Sequence, residues 1–148
     1  MEIAIIADDN KKELTVDFCI AYSGILTKHR IYSTAKTAKY IAEQTGLVVS
    51  EILTTGALGG IEQLTSRISY NEIDILIFFR DPSSAHEYSR VAEIEMLRMC
   101  DLHNIPIATN LSTAEVLIRA LGHGDFDWRE IDNPRSNYNR RKIRNSRA

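Results

Sequence analysis

Apolar positions in this chain switch repeatedly between the two-residue period of strands and the three-to-four-residue period of helices. Glu2–Ala7 reads as a first strand. Asn10-x-x-Glu13 has the form of a capping box opening a first helix, with Leu14, Phe18, Ala21, Tyr22 and Ile25 as its apolar face. A short strand over Arg30–Ser33 follows, then a helix from Lys36 to Gln44 stopped by Gly46. Val48–Thr54 reads as a third strand and Ile61–Ser69 as a third helix. Ile73–Phe79 is almost continuously apolar, as expected of a central parallel strand buried on both faces. Ser89–His103 reads as a helix with Val91, Ile94, Leu97 and Cys100 on its apolar face. Ile105–Thr109 is a fifth strand, and Ser112-x-x-Glu115 a second capping box before a helix that ends ahead of Gly122.

Five strand–helix repeats predict an α/β fold: a parallel sheet, right-handed crossovers and helices on both faces. Ligands in such folds sit beyond the carboxyl ends of the strands. That places the candidate chemistry in five loops: Asp8–Lys12, Thr34–Ala38, Thr55–Gly60, Arg80–Tyr88 and Thr109–Thr113. After Gly122 the pattern weakens. Phe126 and Trp128 are expected to be exposed in a monomer or to pack back on the body, and Asn133–Ala148 reads as a solvated or disordered tail. The expected organisation is a domain over 1–131 and a basic tail over 132–148.

Composition narrows the function classes. At 148 residues and 44% hydrophobic content the chain is one ordinary domain, and no stretch approaches the ~18 apolar residues of a membrane span. Cys19 and Cys100 stand alone on helices and read as buried reduced thiols, consistent with a cytoplasmic protein; neither a disulfide nor a metal site is expected. The net charge of −2 is unevenly spread. Six basic residues and no acid follow Pro134, so residues 1–133 carry −8. An acidic body is a poor nucleic-acid surface, and no nucleic-acid partner is expected. His29, His103 and His123 lack ligand spacing and read as surface or interface residues.

The richest segment is Thr54-Thr55-Gly56-Ala57-Leu58-Gly59-Gly60-Ile61-Glu62-Gln63. It reads as a strand end, a glycine turn and a helix start, an arrangement whose N–H groups suit an anion. By itself it fits a tight strand–helix connection better than a ligand site. Asp8 and Asp9 fit either a helix cap or a site, and Asp81 before Pro82 fits turn chemistry alone. Lys11 and Lys39 read as solvated helix charges.

Ile5-Ile6-Ala7-Asp8-Asp9, Thr55–Gly60, Ile77-Phe78-Phe79-Arg80-Asp81-Pro82, Cys100–His103 and Ile105–Asn110 occur in the order and spacing of one family. Over about residues 2–131 the chain resembles methylglyoxal synthase. The resemblance implies a three-layer α/β/α sandwich with a five-stranded parallel sheet, assembled as a homohexamer. It also implies conversion of dihydroxyacetone phosphate to methylglyoxal and phosphate without metal or cofactor. Related domains bind nucleotides. By the same resemblance Lys12, Thr34, Thr37, Thr55 and Gly56 would hold phosphate, with Lys36 replacing a threonine, and Asp9, Asp81 and His86 would be catalytic.

The chain departs from that pattern where the chemistry is done. The family's catalytic aspartate corresponds to Ile61, which cannot accept a proton. Glu62, beside it, would need about a 100° rotation of the helix to point the same way. Asp8 stands for a histidine, and both glycines of the phosphate loop are alanine, Ala35 and Ala38. The expectation is therefore a protein that binds a phosphorylated small molecule or nucleotide without turnover, as a sensor, regulator or sequestering protein. The alternative is an active methylglyoxal synthase with a rearranged site, using Asp8, Asp9, Asp81 or Glu62 as base. A third reading is an assembly module with a vestigial pocket.

Overall fold

The computed structural model describes residues 1–83 and 87–148, without the side chains of 57 and 87–89. Five strands, β1 (Glu2–Ala7), β2 (Arg30–Thr34), β3 (Glu51–Leu53), β4 (Ile75–Phe79) and β5 (Ile107–Ala108), form one sheet in the order β3-β2-β1-β4-β5. Every pairing is parallel, with Ile3 beside Ile31 and Ile5 beside Ile77. The predicted sheet is therefore observed. Its edge strands are shorter than the apolar runs suggested, because β3 pairs only through Glu51–Leu53 and Val48 is left exposed.

The helices are α1 (Lys12–Ala21), α2 (Ser23–Leu26), α3 (Ala35–Thr45), α4 (Gly60–Ser69), α5 (Glu87–Leu102), α6 (Leu111–Gly122), α7 (Arg129–Asp132) and α8 (Asn137–Ser146). Strand side chains alternate between two cores, as a pleated sheet requires. Ile3, Ile5, Ile75, Ile77 and Phe79 pack with Phe18 and Cys19 of α1, Ile41 of α3 and Ile118 of α6. Ala4, Ile6, Leu76 and Phe78 pack with Leu64 and Ile68 of α4 and Met96 and Cys100 of α5. Each fully buried Leu, Ile or Phe contributes roughly 1.5–3 kcal/mol. The chain moves from the first face to the second between α3 and α4. The loops after β1 and β4, neighbours in the sheet, thus diverge to opposite faces and leave a crevice between them.

Several local expectations need correction. No capping box forms at Asn10: a 3-10 turn over Asp9–Lys11 precedes α1, and the Asn10 amide donates to Asp81 instead. The cap of α6 is Asn110, which accepts the Thr113 N–H at 3.1 Å, rather than Ser112. Ala21, placed on the buried face of the first helix, is exposed, while Val16 and Cys19 are buried. The stripe assigned to α5 is out of phase. Steps of three residues rotate about 60° short of a full turn, so three steps carry Val91 to the side opposite Cys100. Val91 and Ile94 are exposed, and the buried line is Glu93, Met96 and Cys100.

The segment after Gly122 is more ordered than its sequence suggested. Phe126 packs against the first core, and Trp128, 44% exposed, lies against the Arg129 guanidinium. Arg129 is fully buried, donating to Asp74 at 3.2 Å, Asn71 at 2.7 Å and the Ile73 carbonyl at 2.9 Å. Asn133, expected in a solvated tail, is also buried and donates to Asp74 at 3.0 Å. Asn137–Ser146 is helical and carries no buried residue. His29 is part-buried rather than on the surface. Its Nδ1 lies 2.9 Å from the Met1 nitrogen, and burial, aided by that charge, lowers its pKa to about 4. No helix among the described residues is long and apolar enough to cross a membrane.

Candidate active site

The crevice beyond the carboxyl ends of β1, β2 and β4 holds a cavity of about 540 Å³, a size ordinary for a small-molecule site. Most of its walls come from strand ends and helix starts. β1 and the turn after it supply Asp8 and Asp9; β2 and α3 supply Thr34 and Lys36; the glycine turn supplies Thr55 and Gly56. Ile61 and Glu62 enter from the first turn of α4, Phe78 and Asp81 from the end of β4, and Ala92 and Glu93 from α5.

Glycine is required where this turn closes. Gly59 has φ +100°, and a Cβ on Gly60 would stand 2.0 Å from the Thr54 carbonyl oxygen. The positive dipole end of α4 is thereby brought to the cavity, as are those of α1 and α3.

Lys12 is the centre of the cationic side. It opens α1, is 7% exposed, and donates from Nζ to the Ala7 carbonyl at 2.5 Å and to Thr37 Oγ1 at 2.6 Å. Burial lowers its pKa, opposed by the carboxylates of Asp9 and Asp8. Thr37 is fully buried behind this ammonium and does not line the cavity. Its Oγ1 accepts from the Lys12 ammonium and helps hold it in place. Lys36 lies at the mouth with a 65% exposed side chain, 4.0 Å from Asp9.

The acidic side has graded environments. Asp9 is 82% exposed. Asp8 accepts the Asp81 N–H at 2.6 Å, and its own N–H donates to Phe79, tying the ends of β1 and β4 together. Asp81 is committed at both oxygens: Oδ1 accepts from Ser83 and Oδ2 from the Asn10 amide at 2.7 Å. The Ser83 bonds lead in holding its pKa below the usual carboxylate value. Glu62, one residue beyond Ile61, also lines the cavity but is exposed where Ile61 is buried. His86 lies outside the described residues.

Among the described residues, Glu93 is the one carboxylate that both lines the cavity and is buried, at 9% exposure. Arg80 donates to its Oε2 at 3.2 Å. Burial raises its pKa; Arg80 opposes that and Asp8 adds to it. Sequence reasoning missed Glu93 because the stripe drawn on α5 was built from apolar residues alone. Ile61, 8% exposed, is a hydrocarbon wall where a proton acceptor was sought. Among the described residues no group of three or more His, Cys, Asp or Glu is placed to hold a metal ion.

Comparison with known proteins agrees with this fold. The family model for the MGS-like domain matches residues 15–109. A methylglyoxal synthase of Caldicellulosiruptor saccharolyticus is 52% identical over 140 residues, 95% of this chain and 98% of that protein. One of Alkaliphilus metalliredigens is 46% identical over 130 residues, 88% of this chain and 96% of its own. The crystal structure of methylglyoxal synthase from Elizabethkingia anophelis NUHP1 superposes with a TM-score of 0.69 at 35% identity, covering 79% of this chain and 76% of that one.

Proposed function

Because the chain belongs to the MGS-like domain family, we propose that it is a phosphate lyase of the methylglyoxal synthase type. It would take a small phosphorylated ketone, dihydroxyacetone phosphate first among them, and release phosphate and methylglyoxal. The observation that carries this reading is one cavity lined by both a buried ammonium, Lys12, and a buried carboxylate, Glu93. Phosphate would sit toward Lys12, Thr34, Thr55 and Gly56, where helix N-termini and the ammonium favour an anion. The carbon skeleton would then extend toward the acidic wall. The relatives that carry the methylglyoxal synthase name span nearly the whole chain, which favours turnover over the binding-only role expected from Ile61 and the altered loops.

Binding without turnover is the second reading, favoured by Ile61 in the cavity wall and by alanine at 35 and 38. One experiment separates the two: methylglyoxal and inorganic phosphate are measured after adding dihydroxyacetone phosphate, beside calorimetry with glycerol 3-phosphate. Stoichiometric formation of both products is the expected result. Binding of glycerol 3-phosphate with no product would establish the second reading.

Assembly as a homohexamer belongs to the same proposal. Leu58, Val91 and Ile94 are exposed apolar side chains near the cavity, and contact between subunits would cover them. Light scattering should return six times the 16.8 kDa chain mass; a monomer at all concentrations would reject it.

A further inference from the structure

We propose that Glu93, on α5, is the base that takes the carbon-bound proton in this cavity, an assignment that rests on the lyase reading. Ile61 cannot do it, and the other carboxylates are less suited. Asp81 has both oxygens engaged by Ser83 and Asn10. Asp8 is held at Oδ2 by the Asp81 N–H and is less buried than Glu93. Asp9 and Glu62 are exposed to solvent rather than enclosed in the wall. Glu93 is buried beside Ile61, Phe78 and Ala92 in the same wall. A base is most effective when its pKa approaches the working pH, and burial moves Glu93 in that direction. Arg80, 6.0 Å from the centre of the Phe78 ring, holds the carboxylate in a fixed orientation without removing it from the cavity.

The proton count closes without any further reactant. Glu93 removes a hydrogen from the hydroxymethyl carbon of dihydroxyacetone phosphate, and the C–H pair becomes the double bond of an enediolate. The phosphate C–O bond then breaks, its electron pair leaving with phosphate. As the hydroxyl proton departs with that phosphate, the hydroxymethyl carbon becomes the aldehyde. The remaining enolate takes a proton at its methylene carbon, equivalent to the one Glu93 accepted, and becomes methylglyoxal.

E93Q tests the assignment, since the amide keeps the shape and can still accept from Arg80. Methylglyoxal formation should fall about 10²–10⁴-fold, and exchange of the hydroxymethyl hydrogens with deuterated water should fall with it. Glycerol 3-phosphate affinity should stay within about threefold, because phosphate binding lies on the Lys12 side. E93D should recover at least about tenfold of the activity lost in E93Q. E95Q, on the same helix but outside the cavity and paired with Arg98, should behave as wild type. A wild-type enzyme that turns over while E93Q retains more than a tenth of its rate overturns the base assignment alone. So does equal activity of E93Q and E93D, which also covers a loss caused by folding. A wild type that binds glycerol 3-phosphate and forms no methylglyoxal overturns the lyase reading and this assignment with it.

Discussion

Replacing Lys12 by methionine should weaken phosphate binding far more than the same change at Lys36, although both residues line the cavity. An ammonium carries three protons. Two of those on Lys12 point to the Ala7 carbonyl at 2.5 Å and Thr37 Oγ1 at 2.6 Å, leaving one for a ligand. A hydrogen bond to a charged group is worth about 1.5–3 kcal/mol, which corresponds to roughly 10–100-fold in affinity. Because Lys12 is 7% exposed, salt should erode that contribution little. Lys36 has a 65% exposed side chain and lies 4.0 Å from Asp9. Its contribution should stay under about 1 kcal/mol, or fivefold, and fade further at high salt. Calorimetric titration with glycerol 3-phosphate at low and high sodium chloride reads both. Stability is a poor readout here, since losing a buried charge and orphaning two acceptors act in opposite directions. A K12M affinity within threefold of wild type, or a larger loss in K36M, would refute the placement of phosphate at Lys12.

Three further outcomes are expected. The rate should rise with pH through the ionisation of Glu93, with its acid limb above the ordinary 4.5 because burial outweighs the lowering by Arg80 and Arg90 while Asp8 adds to the rise. R80Q removes a lowering charge, so the limb should move further up; a downward move contradicts the coupling. G60A forces a Cβ to 2.0 Å from the Thr54 carbonyl oxygen and should cost about 1–3 kcal/mol and abolish glycerol 3-phosphate binding. G24A, with open space around the new methyl, should leave melting temperature and binding unchanged, and equal effects of the two would discredit the turn argument. R129M strands the buried Asp74 carboxylate and should cost about 3–5 kcal/mol in urea unfolding; a loss below about 1 kcal/mol would mean that Asn133 and the Glu2 N–H suffice.

The fold was legible wherever periodicity and burial coincide. Ile73–Phe79 announced a central strand because both its faces are covered, and Gly46 marked a helix end because only that residue adopts φ +72° cheaply. Capping boxes were less dependable. The pattern at Asn10 is local, but the Asn10 side chain is claimed by Asp81, 71 positions away in sequence, and no local pattern contains such a partner. The same holds for Arg129 and Asn133. Nothing around them distinguishes buried polar anchors from solvated ones, since their burial is created by Asp74 and Asn71, more than 50 residues earlier.

The candidate site shows the same division more sharply. Its location followed from strand–helix alternation alone, and Lys12, Thr34, Thr55 and Gly56 do meet at one cavity. Thr37 shows how proximity in sequence can mislead: one turn into α3, it faces Lys12 rather than the ligand space. Residue 61 carried the functional inference because it was the position at which a base was sought, and its hydrocarbon side chain argued against turnover. A cavity, however, is supplied by every helix that borders it. The α4 side of this one is apolar at Ile61, whereas α5 brings Glu93 to it from the adjoining side. Seeing that requires the phase of α5. The three-residue stripe drifts through half a turn between Val91 and Cys100, whereas the line from Glu93 through Met96 to Cys100 keeps to the buried side. A charged residue placed at the start of such a line, with an arginine from the neighbouring strand end to meet it, is a signal the sequence does contain. It becomes readable once the helix is phased on its buried methionine and cysteine instead of on its β-branched residues.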